Sequence, residues 1–143
     1  MPPIFRSIVA IVLGVILAMT LVMISDTSCG VLFLPEGIDH NDMEAIKAAI
    51  PGMPMPAFVM LVAGWSFAAF AGGWVSGWLA GRAPLIHAGI IGALVTLGTI
   101  LNLRQLEHPQ WVNIIAPILP IPASLLAALL VPRRKTQPAA GEP

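Results

Sequence analysis

The chain has 143 residues, with 7 Lys and Arg, 7 Asp and Glu, and one cysteine; 10% of it is charged and 57% hydrophobic. A soluble domain carries about 25% charged residues, so a disordered chain, a basic nucleic-acid-binding domain and a disulfide-built secreted module are all excluded. With a mean hydropathy of +0.89, an integral membrane protein remains.

Charges locate the spans, because one at mid-bilayer costs about 2.5 to 3.5 kcal/mol on insertion scales. Four long stretches lack them, and a spanning helix needs about 20 apolar residues. The expected helices are Ile4 to Ile24, Ala57 to Ala80, Leu85 to Leu103 and Trp111 to Val131. The expected fold is therefore all-α, a transmembrane four-helix bundle forming one domain over residues 1–132, with residues 133–143 as a basic, then disordered, tail. Four spans put both termini on one side. With the termini cytoplasmic, Arg6, Arg82, Arg133, Arg134 and Lys135 lie inside against Lys47 and Arg104 outside, as the positive-inside rule requires.

The first span is too long for a signal core and no A-x-A site follows, so it reads as retained. Asp26 is expected just beyond its far end, which leaves every acid outside all four spans. In the outer loop, residues 25–56, Pro35-Glu36-Gly37 reads as a turn. Asn41 with Glu44 has the spacing of a capping box. A short amphipathic helix follows from about Asp42 to Ile50, with Met43, Ile46 and Ile50 as its apolar stripe, lying on the outer surface as a contact for another protein. Asp39, His40, Asp42 and Glu44 match neither a calcium loop nor a zinc spacing, so no metal is expected.

The second span carries two adjacent rows of small residues. Gly73, Gly77 and Gly81 repeat every fourth residue, extended by Ala69, and Gly64, Ala68, Gly72, Ser76 and Ala80 run beside them. Such a face lets another backbone come close, and in lipid this drives helix association. The third span is its expected partner, with a homo-oligomer as the intermolecular use of the same face. Trp78 and Trp111 suit the two interfaces, whereas Trp65 and Trp74 are expected deeper, as candidates to line a cavity.

In the third span Gly89 and Gly92 continue the close-packing pattern, and His87 lies at the opposite end from His40 and His108, so a haem between two histidines is not expected. The fourth span holds Pro117, Pro120 and Pro122, which free the carbonyls of Asn113, Ala116 and Ile118. A kink or break is expected in its outer half, facing the bundle.

Small four-span proteins of known activity need paired cysteines, an embedded carboxylate, or embedded basic or metal-binding residues; none is expected within these spans, so neither catalysis nor a cofactor is predicted. Pro35 to Asp42, the Gly-rich stretch from Ala57 to Arg82 and His108-Pro109-Gln110-Trp111 together resemble a widespread group of uncharacterised bacterial four-span small integral membrane proteins. That resemblance implies a bacterial inner-membrane setting and no catalytic residue. The expected function is a packing, scaffolding or accessory subunit acting through small-residue helix faces, with the bilayer, a second copy or another membrane protein as partners and no nucleic acid. The rival expectation is a small transporter or pore for an uncharged or lipid-like solute running along Trp65, Trp74, Asn113 and the broken fourth span.

Overall fold

The computed structural model describes residues 2–39 and 41–132. Its elements are α1 (Pro3–Phe33), α2 (Met43–Ala49), a single 3-10 turn (Ile50–Gly52), α3 (Met55–Ala80), α4 (Pro84–Gln105), α5 (Gln110–Ile118) and α6 (Pro120–Leu129), with no strand among the described residues. Four helical units are long and apolar enough to cross a membrane: α1, α3, α4 and the pair α5–α6. The chain is an all-α four-span bundle in which α3 touches all the others of these units. The tail expected over residues 133–143 lies outside the described residues, as does His40.

Proline sets most of the boundaries. Pro3, Pro56 and Pro84 stand in first turns, where the missing N–H costs nothing. α1 ends where Leu34 turns extended ahead of Pro35, nine residues later than the expected stop at Ile24. Nothing before Pro35 breaks a helix, since one glycine, Gly30, costs only about 1 kcal/mol. At 1.5 Å per residue, α1 is about 46 Å long against a hydrocarbon core of about 30 Å. Its last turns therefore carry Asp26 and Cys29 within the helix, with Asp26 about 34 Å along it and so past a core of that thickness.

Two further boundaries differ from expectation. Asp42, not Asn41, caps α2, its carboxylate accepting from the backbone N–H of Glu44 and Ala45 at 3.0 and 3.1 Å, while Asn41 donates instead to Asp39. Asp42 wins because its extended backbone (φ −89°, ψ 96°) aims the side chain at the first free N–H groups. At the other end of the bundle, Gly81 lies just past α3 and packs against the Arg6 guanidinium rather than a helix backbone, a Cβ there falling 2.7 Å from an Arg6 Nη. It is the left-handed residue that stops the helix (φ 69°), its N–H reaching the Gly77 carbonyl at 3.3 Å.

The small-residue rows of α3 are divided among several neighbours rather than assigned to α4. A Cβ at Gly72 would lie 2.6 Å from the Gly14 carbonyl oxygen and 2.9 Å from Ala18 Cβ, both on α1; one at Gly73 would lie 3.0 Å from Ser124 Cβ on α6. Gly77 faces Pro84 at the start of α4 and Val131, and Gly64 sits against Ser25 of α1. Ala68 and Ser76 are fully buried in the same seam. On α4, Gly92 meets Ser124 Oγ and, at 2.9 Å, Ile121 Cα, whereas Gly89 keeps an ordinary 3.8 Å from Leu125 and contributes no close approach.

The fourth span is interrupted near its middle, at Leu119. The interruption is a gap in the hydrogen-bond ladder rather than a turn: Leu119 keeps helical dihedrals (φ −69°, ψ −34°), its N–H reaches the Ile115 carbonyl at 3.2 Å, and its carbonyl accepts from Ala123 N–H at 3.0 Å. Thr96 Oγ1 donates to the Pro117 carbonyl at 3.2 Å, so the neighbouring span supplies a bond to this stretch of backbone. Pro120 is fully buried, and Pro122 is exposed.

Candidate functional site

The end of the bundle that holds the α1 start is closed. Arg6 Nε donates to the Leu79 carbonyl at 2.7 Å, setting a cation on the last carbonyls of α3, where the helix dipole favours it. The opposite end is open. There the overlong α1, the start of α3, the end of α4 and the 106–109 loop surround a recess of about 340 Å³, and α2 with its 3-10 turn lies across it. Met43, Ile46, Ile50 and Met53 reach in from the cap, while Leu61 and Phe58 form the floor on α3.

The polar groups of this recess come from four separate stretches of chain. Trp65, 2% exposed, donates its indole N–H to Asp26 Oδ1 at 2.7 Å, tying α3 to α1. His108 lies edge-on to both Phe58 and Trp65, with ring centroids 6.0 and 6.5 Å apart. Its Nδ1 is 2.9 Å from the Leu106 carbonyl. A carbonyl only accepts, so Nδ1 carries the hydrogen and Nε2 of the neutral ring is an acceptor. Burial holds this imidazole below the ordinary histidine value, opposed by that backbone hydrogen bond. Asn102 of α4 also lines the recess, and its Oδ1 is buried with no hydrogen-bond partner. Cys29 Sγ lies 3.5 Å from the Ala57 carbonyl, a thiol contact that closes the wall between α1 and α3.

Sequence reasoning placed Trp65 correctly as a deep indole lining a cavity and missed what it bonds. Trp74 does not join it: 38% exposed, Trp74 stacks on Trp78 with centroids 6.1 Å apart and planes at 2° on the outer surface of α3. Nine residues separate Trp65 and Trp74, which is two and a half turns, so the two rings point to opposite sides. Asn113 lies outside the recess as well, donating to the His108 carbonyl at 3.2 Å in an adjoining polar notch with Arg104 and Glu107. Pro117, Pro120 and Pro122 line neither depression.

Asp26, Phe58, Asn102 and His108 were the residues the sequence did not single out as a site. Depth alone could have found them: counted from the chain turns, Asp26, Phe58 and Asn102 fall toward the same end of the bundle as Trp65, and His108 stands in the loop at that end. Among the described residues no group of three or more His, Cys, Asp and Glu side chains gathers as a metal site. No family model, curated protein or solved structure matches the chain.

Proposed function

We propose that the protein is a non-catalytic accessory subunit of a bacterial inner membrane, a four-span body with cytoplasmic termini that offers its capped end to a partner in the membrane. The observation that carries this reading is the distribution of the α3 glycines. Gly72, Gly73 and Gly77 are each occupied by a different part of the same chain, so close packing in lipid goes into making one stiff body. Association then falls to surfaces that face outward. The short cap α2 has no fully buried residue and leaves Met43 51% exposed, while Glu44 and Lys47 pair at 3.0 Å on its outer side.

Orientation follows from Arg6 and Arg82 at the end holding the α1 start, which the positive-inside rule assigns to the cytoplasm. The likeness of the loop and glycine patterns to small bacterial four-span proteins supports the setting. Transport of an uncharged or lipid-like solute along the fourth span would need room beside Pro117 to Pro122. Gly92 fits against Ile121 and Pro120 there, which favours the accessory reading.

The test is extraction in mild detergent followed by mass measurement of the intact assembly. A stoichiometric second chain, identical or different, is expected, and Ala48→Arg, on the exposed side of α2 and outside the recess lining, should release it without changing the thermal midpoint of the bundle. A lone monomer under every mild extraction would remove this reading.

A further inference from the structure

The recess under α2 has a charge balance that its packing does not explain. Its lining includes the carboxylate of Asp26 and no Lys or Arg. The strongest acceptors there are under-used: Asp26 takes one hydrogen bond from Trp65, Asn102 Oδ1 takes none, and His108 spends its one N–H on Leu106, while the neutral donors of the lining are the Asn102 amide and the Thr27 hydroxyl. A buried acceptor left without a partner costs about 1 to 3 kcal/mol, so the site is complementary to a group that brings hydrogens and positive charge. The faces and edges of Trp65 and Phe58 stand beside it, and an aromatic face attracts a cation by about 0.5 to 2 kcal/mol.

Apart from Thr27 and Cys29, the rest of the lining is apolar. Met43, Ile46, Ile50, Met53 and Leu61 contribute side chains with no polar hydrogen, two of them methionines that adapt to an irregular occupant. At about 340 Å³ the recess lies in the range that holds small organic ligands, where a few polar groups orient a mostly apolar molecule. A bare inorganic cation would leave this surface unused, and a plain acyl chain would leave Asp26 and Asn102 unanswered.

We propose that the recess between α1, α3 and α4, capped by α2, binds a small amphiphile with a protonated amine head, the ammonium on Asp26 and Asn102 and the alkyl portion along Met43, Ile46 and Met53. The proposal goes beyond the accessory role and does not depend on it, because the purified chain alone contains the whole site. Binding places α2 as a lid on the occupant and so ties the conformation of the capped end to ligand.

The experiment uses the full chain in phosphatidylcholine nanodiscs with 13C-methyl-labelled methionine. Met43 and Met53 report the recess, whereas Met19 and Met23 point outward from α1, 36% and 69% exposed, and report partition into lipid. Octylammonium should shift Met43 and Met53 saturably and leave Met19 and Met23 in place. Methylammonium, with charge but no tail, and octanol, with tail but no charge, should each bind at least tenfold more weakly, and octanoate should not bind. Asp26→Asn keeps an acceptor for Trp65 and should weaken octylammonium at least tenfold. Should that variant fail to fold, Ile46→Trp fills the recess with Asp26 in place and should abolish the saturable shifts. Equal binding of octanol or methylammonium, tighter binding of octanoate, unchanged affinity in either variant, or no shift at Met43 and Met53 with any probe would each overturn the proposal.

Discussion

The glycine-lined middle of the bundle and its capped end are built on opposite principles. In the middle, Ala18, Ala69, Ile91 and Val95 form a cluster with Ile11 and Val15 against it, and helices meet backbone to backbone at Gly14 and Gly72. At the capped end, Ile50, Phe58, Val62, Trp65, Val112 and Ala116 form a second cluster of larger side chains, and helices stand far enough apart to leave the recess. Small residues let lipid-embedded helices touch and leave no room for chemistry; large ones hold helices apart and create it. The difference teaches where each half is vulnerable: the middle to added atoms, the capped end to removed ones.

The largest effect should come from adding atoms at the tightest crossing. Gly72→Leu places a side chain where the first carbon already lies 2.6 Å from a backbone oxygen. Since overpacking costs about 1 to 3 kcal/mol even against movable side chains, a loss of about 3 kcal/mol is expected. Unfolding of the purified protein in mixed micelles measures it, and a wild-type midpoint would break the contrast between the halves.

Removing atoms at the other end should cost less. Trp65→Phe keeps the aromatic body and deletes the donor to Asp26, leaving a half-buried carboxylate without that hydrogen bond. About 1.5 to 3 kcal/mol is expected for a bond to a charged group, and hydrogen exchange should show the loss concentrated in α2 and the last turns of α1. If protection falls evenly along all four spans instead, the two halves are one cooperative unit.

A pair of alanine substitutions on one helix sharpens the comparison further. Gly92→Ala meets Ser124 Oγ and Ile121 Cα and should lose about 1 to 2 kcal/mol. Gly98→Ala, with nothing within 4 Å, should gain up to about 1 kcal/mol from helix propensity alone. Opposite signs in the same assay are the expected result.

The smallest effect is one of pH. His108 has its pKa lowered in the folded protein by burial, so the unfolded chain takes up its proton first. Stability from this group is complete above the unfolded value near 6.5 and declines as pH falls from there through the folded value. The capped end should loosen between about pH 6.5 and the lowered value, seen as faster exchange in α2, and His108→Gln should flatten that dependence. A slope unchanged by His108→Gln would remove His108 as its source.

How much of this was legible in the chain depended on the range of the physics involved. The spans were legible because a missing charge over some 20 residues is a local property, and so were the prolines that start α4 and interrupt the fourth span. The end of α1 was misplaced since Asp26 looks like a stop until Trp65, 39 positions away, supplies its partner. The rows on α3 announced close packing but not with whom: Gly72 and Gly73 are adjacent in sequence, yet their 100° separation around the helix sends one to α1 and the other to α6. For the same reason Trp74 shared Trp65's residue type and none of its surroundings.

By itself the sequence determined the solvent, the number of spans and the residues able to pack closely, all of which follow from side-chain transfer energies summed along a short window. Only the tertiary structure decided that Gly14, Gly64, Gly72, Gly73, Gly77 and Gly92 meet other segments of the same chain, and that Asp26, Trp65, Asn102 and His108 meet under α2. The physical reason is that depth and azimuth around a helix are fixed by packing between distant segments, and a recess exists only where several segments fail to fill the same space.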